Sequence, residues 1–363
     1  MMDFKTTWME LRKGWKGYTI FILIVVLISA GMAQLYPVVN ETFEEDAGQL
    51  EGEEHVSLKI LVKEDALYLE WDEVENAEEY IVLEDTGAHM ATSWKIGNTT
   101  ENNMTISREN ASEDRYFGVV AVVGDSQIPV GIASTVESKT PFEEMMETPY
   151  FRMFTAGREE IRMDEIEGYL SVELYSWWIL LAGVYLSYLS VKSITGDYEE
   201  SRMDIIFSTP LTRKNYLLQK FLALALFSLL LVKLAGAALT LSVYLVGEGL
   251  MFDTFFISLL ISWPMLLVII AMSMFFAVLF RDSRTSISAS FAVILVNYAL
   301  FMAGHMLEEL RFVLPFTISH YWDYNSVLLE GTVHPLHLLG LGIASVVVVA
   351  GSLRLFERSD IPV

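Results

Sequence analysis

Residues 192–220 read KSITGDYEESRMDIIFSTPLTRKNYLLQK and stand between two long apolar runs, 175–191 and 221–246. The first half is acidic and amphipathic, with Met203, Ile206 and Phe207 spaced i, i+3 and i+4 so that they share one helical face. Covering such a patch stabilises by about 2 kcal/mol per buried side chain. Thr209-Pro210 stops this helix, because proline lacks the N–H and restricts the residue before it. Thr212 can then cap a new helix that opens with Arg213 and Lys214. A short charged helix with an apolar stripe, held between two spans, has the form of a lever that docks on a soluble partner. From the residues alone it reads equally well as an interfacial loop.

The flanking runs belong to a series. A membrane-crossing helix needs ~20 mostly apolar residues, and six segments qualify: 18–36, 175–191, 221–246, 255–280, 287–306 and 336–356. A mean hydropathy of +0.40 agrees with several spans. Lys5, Arg12, Lys13 and Lys16 precede the first, and Lys192, Arg202, Arg213, Lys214 and Lys220 lie between the second and third. Arg281 and Arg284 separate the fourth from the fifth, and Arg358 follows the sixth. The positive-inside bias places these clusters, and with them both termini, in the cytoplasm. The expected molecule is therefore a polytopic α-helical protein of the cell membrane with six transmembrane helices. The first run could be a secretory signal, since small residues at 30–33 offer a cleavage site. Its 19 residues exceed a signal core, however, and Phe4, Trp8, Leu11 and Trp15 recur at helical spacing ahead of it. That pattern predicts an interfacial amphipathic helix and a retained anchor.

The chain of 363 residues carries a formal net charge of −23. Residues 38–169 alone hold 31 acidic against 9 basic side chains, a net of −22, so the charge belongs to one segment. Such an acidic segment excludes nucleic acid as a partner. Cysteine is absent, which removes disulfides, thiolate metal sites and thiol nucleophiles. Within the acidic segment, residues 56–136 alternate apolar and polar in about seven short runs divided by turn-rich stretches, the pattern of an all-β sandwich. Leu69-Glu-Trp71, Ala77 with Tyr80 and Val82, and Tyr116-Phe-Gly-Val-Val-Ala-Val122 follow in the order seen in fibronectin type III domains, which this segment resembles. It reads as a rigid outer cap or as a surface for substrate, cell-wall polymer or protein. The sequons at Asn40, Asn98, Asn103 and Asn110 fall in this segment, and it is the predicted extracellular one. The expected division is an interfacial helix and first span (1–37), the outer sandwich (38–140), an amphipathic helical connector (141–170) and five further spans (171–363).

The lever region resembles the ABC-2 family of permease subunits, the membrane halves of ATP-binding-cassette transporters. That family's pattern E-x-E-x-G-T-x-x-x-L-x-x-P-x-x-R-x-x-x-x-x-K is met here by Glu199-Glu200, Ile205 to Phe207, Pro210, Arg213 and Lys220, with Ser201-Arg202 in place of Gly-Thr. Leu314-Pro-Phe316 with Tyr321 and Asn325 to Gly331 resembles the outer hairpin before the last span. Phe356-Glu-Arg358-Ser-Asp360-Ile361 resembles the closing F-x-R-R-D-I. The resemblance implies an ATPase-coupling stretch carrying Asp197, Glu199, Glu200, Met203, Ile206, Phe207, Pro210 and Arg213, with a second cytoplasmic loop at Arg281 and Arg284. It also implies a separate cytoplasmic ATPase that binds ATP and Mg²⁺, a second permease chain, identical or paralogous, and export. No cofactor is expected in this chain, which has neither a G-x-x-x-x-G-K-[ST] loop nor an H-E-x-x-H or G-x-S-x-G motif.

Lys233 falls near the middle of the third span. A charge there costs at least ~2.5–3.5 kcal/mol unless paired or hydrated. It reads either as facing a translocation path or an acid, or as snorkelling or facing a subunit contact. The remaining polar residues of the spans, Ser187, Ser190, Thr240, Ser242 and Ser273, suit close helix packing. A membrane-anchored adhesion or sensor protein displaying the outer domain is the alternative, though six spans exceed what display needs.

Overall fold

A computed structural model describes residues 14–358, except 53–57, 64–65, 75–76, 86–92, 108–115, 125, 135–147, 159–160, 164 and 250–251. The chain forms two compact units, one of residues 1–40 with 146–363 and one of residues 41–145.

Six helices are long and apolar enough to cross a membrane. They are residues Trp15–Asn40 of α1 (Trp15–Gly52), then α3 (Ile166–Glu199), α5 (Arg213–Leu245), α6 (Phe252–Phe280), α7 (Ser283–Met306) and α9 (Pro335–Arg358). Three short α-helices, α2 (Pro149–Arg152), α4 (Met203–Phe207) and α8 (Tyr324–Glu330), and two 3₁₀ helices, Glu308–Phe316 and Ser319–Tyr321, complete the described set. Each span runs past its apolar core into polar residues, because a helix continues until a cap or a proline stops it. Thr212 caps α5 on the Asn215 N–H, and Asp282 caps α7 on that of Thr285.

α6 occupies the centre of this unit, in contact with α3, α5, α7 and α9. Leu266, Ile269, Ile270 and Ala271 are fully enclosed there. Lipid supplies no hydrophobic drive between helices, so close packing and interhelical hydrogen bonds hold them. Ser273 donates to Ser187 at 2.9 Å, Trp178 Nε1 donates to Ser262 at 2.9 Å, and the Tyr175 and Ser258 hydroxyls meet at 2.6 Å. α1 leans on α3 through stacked Phe21 and Tyr185, and on α5 through Gln34, which donates to the Ser242 hydroxyl at 2.9 Å.

Phe4, Trp8 and Leu11 lie outside the described residues, and the described helix opens at Trp15. The stretch 141–170, expected as a helical connector, is described from residue 148. It holds the four-residue α2, then turns through Ala156 and Gly157 at φ 51° and 75° before α3 begins. Left-handed backbone at two successive residues ends a helix. A Cβ on Gly157 would meet His305 Nδ1 at 2.7 Å, so the turn needs glycine for space as well.

The second unit has seven described strands in two antiparallel sheets. One runs in the order β1 (Leu58–Lys63), β2 (Ala66–Trp71), β5 (Asn103–Ser107). The other runs β4 (Trp94–Thr99), β3 (Glu79–Asp85), β6 (Tyr116–Val123), β7 (Ser126–Ser134). Alternate residues of both sheets enter one core: Leu58, Leu67, Leu69 and Trp71 from the first, Tyr80, Val82, Phe117 and Val119 from the second. The Trp71 and Tyr80 rings lie 5.5 Å apart, and the Tyr80 hydroxyl accepts from the Val74 N–H at 2.8 Å. Pro129 sits on β7, an edge strand, opposite a register shift between Val119 and Val120, and edges and bulges are where a sheet accommodates proline.

Candidate functional site

The lever region is built on the end of α3. Ser201 takes φ 50°, the left-handed conformation that L side chains adopt reluctantly. The Arg202 N–H then reaches back to the Asp197 carbonyl at 2.9 Å and the Ser201 N–H to that of Tyr198 at 3.1 Å. These two bonds close α3 in a Schellman turn and reverse the chain into α4. The left-handed residue is the first of the two that replace Gly-Thr in the pattern quoted above.

Beneath this turn lies a buried charge cluster. The Asp197 carboxylate meets Lys220 Nζ at 2.8 Å and Arg202 Nη2 at 3.0 Å, and it accepts from the Tyr216 hydroxyl at 2.8 Å. Asp197 and Lys220 are 3% and 1% exposed, so each charge is held in the interior by the groups paired with it. Lys220 also donates to the Ser193 carbonyl and lies over the Tyr216 ring. α3 and α5 are thereby fastened together directly behind α4.

α4 stands on this base. Of its three apolar residues at helical spacing, Met203 is buried within the chain, while Ile206 and Phe207 are half-buried. Phe207 packs against Tyr216 and Phe356, with ring centroids 5.6 and 6.2 Å away. The stripe thus faces inward, and Ile205, 70% exposed, is the apolar side chain left in solvent, beside exposed Asp204. Glu200 and Pro210 are exposed as well, and Glu200 pairs with Arg202 at 3.1 Å. The sequence does carry a signal for Ile205: it is the large apolar residue off the i, i+3, i+4 stripe.

The same end of the bundle gathers two more pieces. Glu199 accepts from the Ser283 N–H at 2.9 Å, Lys192 donates to the Ser283 hydroxyl at 2.9 Å, and Thr195 meets that hydroxyl at 2.7 Å. The second loop, residues 281–286, is therefore latched to α3. Arg281 turns this loop at φ 63°, and Arg284 is exposed. Arg213 donates to the Phe356 and Glu357 carbonyls at 3.4 and 3.3 Å, capping the end of α9, and Lys214 pairs with Glu357 at 3.1 Å. Ser283, Tyr216 and Glu357 gain their roles through contacts far apart in sequence, which no local pattern announces.

The other candidate residues lie elsewhere. Lys233 is exposed on α5. Asn98 is exposed on β4, where its amide donates to Glu79 at 2.8 Å, and Asn103 is exposed at the start of β5. Asn40 is half-buried, and Asn110 lies outside the described residues. Among the described residues no three His, Asp or Glu side chains are placed to hold a metal ion.

This end of the bundle offers a short helix with an exposed apolar tip, a charge-locked base and a latched neighbouring loop, which can pass a mechanical displacement to α3, α5 and α7. No curated protein matches the chain. The model of one family, described as "ABC-2 family transporter protein", matches residues 5–361. With six membrane-spanning helices and a match over nearly its whole length, the chain belongs to the ABC-2 family of transporter proteins, as a membrane component of an ATP-binding-cassette transporter.

Proposed function

We propose that this chain is the permease half of an exporter, driven by a separate cytoplasmic ATPase that docks on α4 and on the loop at 281–286. The observation that carries the reading is Ile205, an exposed apolar residue on a five-residue helix whose base is fixed by the Asp197–Lys220 pair. An ATPase closing on ATP and Mg²⁺ pushes this tip. Glu199 carries the push to Ser283, and Phe207 carries it to Phe356. The spans then exchange two arrangements because the nucleotide-bound partner favours one of them. Export is the direction that the family resemblance implies, and a second permease chain, identical or paralogous, completes the route.

In this reading the α4 end is cytoplasmic, in keeping with Lys192, Arg213, Lys214, Arg281, Arg284 and Arg358 gathered there. The β unit then lies outside the cell as a fibronectin-like cap. That assignment is supported by its strand order, β1-β2-β5 beside β4-β3-β6-β7, and by the Trp71–Tyr80 contact in its core. Asn98 and Asn103, both exposed, are its candidate glycosylation sites.

The test is affinity purification of the tagged full chain in mild detergent from its host. A stoichiometric ATPase that is lost with Ile205→Asp, while the chain stays folded, is the expected result. Absence of any nucleotide-binding protein after crosslinking overturns the reading.

A further inference from the structure

Lys233 stands on a face of α5 that the described residues leave open. Leu226, Leu230, Leu234, Ala237, Leu241 and Tyr244 are exposed along the same face, and each of these, unlike Lys233, is at home in lipid. Lys233 makes no hydrogen bond or ion pair among the described residues. It lies 20 residues from the start of α5 and 12 from its end. At 1.5 Å per residue those are about 30 and about 18 Å.

Three observations narrow what covers it. First, snorkelling is poor. On the apolar run 221–246, Lys233 is 12 residues from one boundary and 13 from the other, about 18 and about 20 Å, beyond the reach of a lysine stem. The next charged residue on its helix toward the N-terminus, Lys220, is already locked to Asp197, and Tyr244, exposed as interfacial aromatic residues are, stands about three turns away toward the other end. Second, a copy of this chain holds no counter-charge at that depth among its described residues. The acidic residues of the described spans are Glu167, Glu173, Asp197, Glu199, Asp253 and Glu357. All lie within about two turns of a helix end. Third, a twofold contact along α5 would set Lys233 against its own symmetry mate, two like charges in a low-dielectric medium. An identical copy of this chain therefore does not supply the counter-charge.

We propose that the Lys233 face of α5 lines the transport route and binds an anionic amphiphile as cargo. A phosphate or carboxylate group pairs with the ammonium, and an apolar body lies along Leu226, Leu230, Leu234 and Leu241. The route part of this inference rests on the permease reading; the charge-selective site does not.

The chain contains no cysteine, so Lys233→Cys introduces a single thiol. In nanodiscs holding the full chain, a charged, membrane-impermeant methanethiosulfonate should modify that thiol. An unreactive thiol overturns the proposal, by assigning the face to lipid. A disulfide crosslink between two copies of this variant overturns it too, by making the face a seam between chains. In parallel, a fluorescent long-chain alkyl phosphate should bind wild type and Lys233→Arg alike. It should bind Lys233→Gln about tenfold more weakly, while the matching alkylphosphocholine shows no such difference. Equal binding of the alkyl phosphate to the Gln variant overturns the proposal. Neither readout involves an ATPase. A chain that fails to recover an ATPase yet passes both tests loses the exporter reading and keeps the site, and the reverse outcome does the opposite.

Discussion

Asp197 and Lys220, 23 positions apart in sequence and on different helices, meet at 2.8 Å in the interior behind α4. Both are almost wholly enclosed, and Arg202 and Tyr216 complete the shell around the carboxylate. The pair ties α3 to α5 behind α4, and under the proposed coupling role stability and coupling would depend on the same contact.

The two halves of this pair are not equivalent. Asp197→Ala removes the carboxylate that pairs with buried Lys220, and breaking a buried pair costs about 3–5 kcal/mol. Lys220→Met leaves the carboxylate with Arg202, which is 30% exposed and stays in place, so its cost is smaller. The double change Asp197→Asn with Lys220→Met should recover much of the loss. Thermal unfolding followed by size-exclusion chromatography in detergent ranks the three; equal losses for the two single variants would contradict this account.

Ser201 holds a left-handed backbone conformation that favours glycine. Ser201→Gly keeps the Schellman bonds and removes a steric cost of about 1 kcal/mol. The expected result is a small rise in the unfolding midpoint with unchanged ATPase recovery. A fall in the midpoint would show that the serine side chain matters more than its backbone.

Two apolar residues of α4 separate docking from folding. Ile205→Asp alters a solvated tip, so the chain should purify normally and lose its ATPase. Met203→Asp places an unpaired carboxylate in the interior, and the chain should lose yield and monodispersity before docking can be read. Both are scored by monodispersity first and by co-purification second.

Outside the spans, Arg158 pairs with Glu330 at 2.5 Å and donates to the Ser326 hydroxyl at 2.7 Å, joining the α2 turn to α8. The hydrogen bond and charge of Arg158 hold the Glu330 carboxyl below its usual value of 4.5. A lowered folded-state value means that the pair stabilises above about pH 4.5 and loses its contribution as pH falls through the lowered value. The wild type should therefore lose more unfolding temperature than Glu330→Gln between about pH 6 and pH 3. Identical acid profiles would show that the pair contributes nothing to stability.

Six spans and a two-sheet domain are legible in the sequence because both signals are local. About twenty apolar residues report a bilayer crossing wherever they occur, and alternation reports a strand whose two faces meet different surroundings. The lever was legible in part. Pro210, Thr212 and the stripe of Met203, Ile206 and Phe207 mark its limits and its period, but period does not say which way a stripe faces. In water an apolar stripe on an isolated helix asks for a partner; here Tyr216 and Phe356 of the same chain already provide one for Phe207, and Ile205 is left outside.

The sequence by itself therefore determined the membrane class, the six crossings, the confinement of negative charge to one inserted segment and the place of the lever between α3 and α5. Each follows from hydropathy, charge or backbone stops within a few neighbouring residues. Tertiary structure alone decided that Asp197 neutralises Lys220, that Glu199 caps Ser283 from another helix, and that Lys233 meets no counter-charge among the described residues. These are pairings over distances the chain crosses only by folding, and their energies depend on burial, a property of the assembled packing and of no residue taken singly.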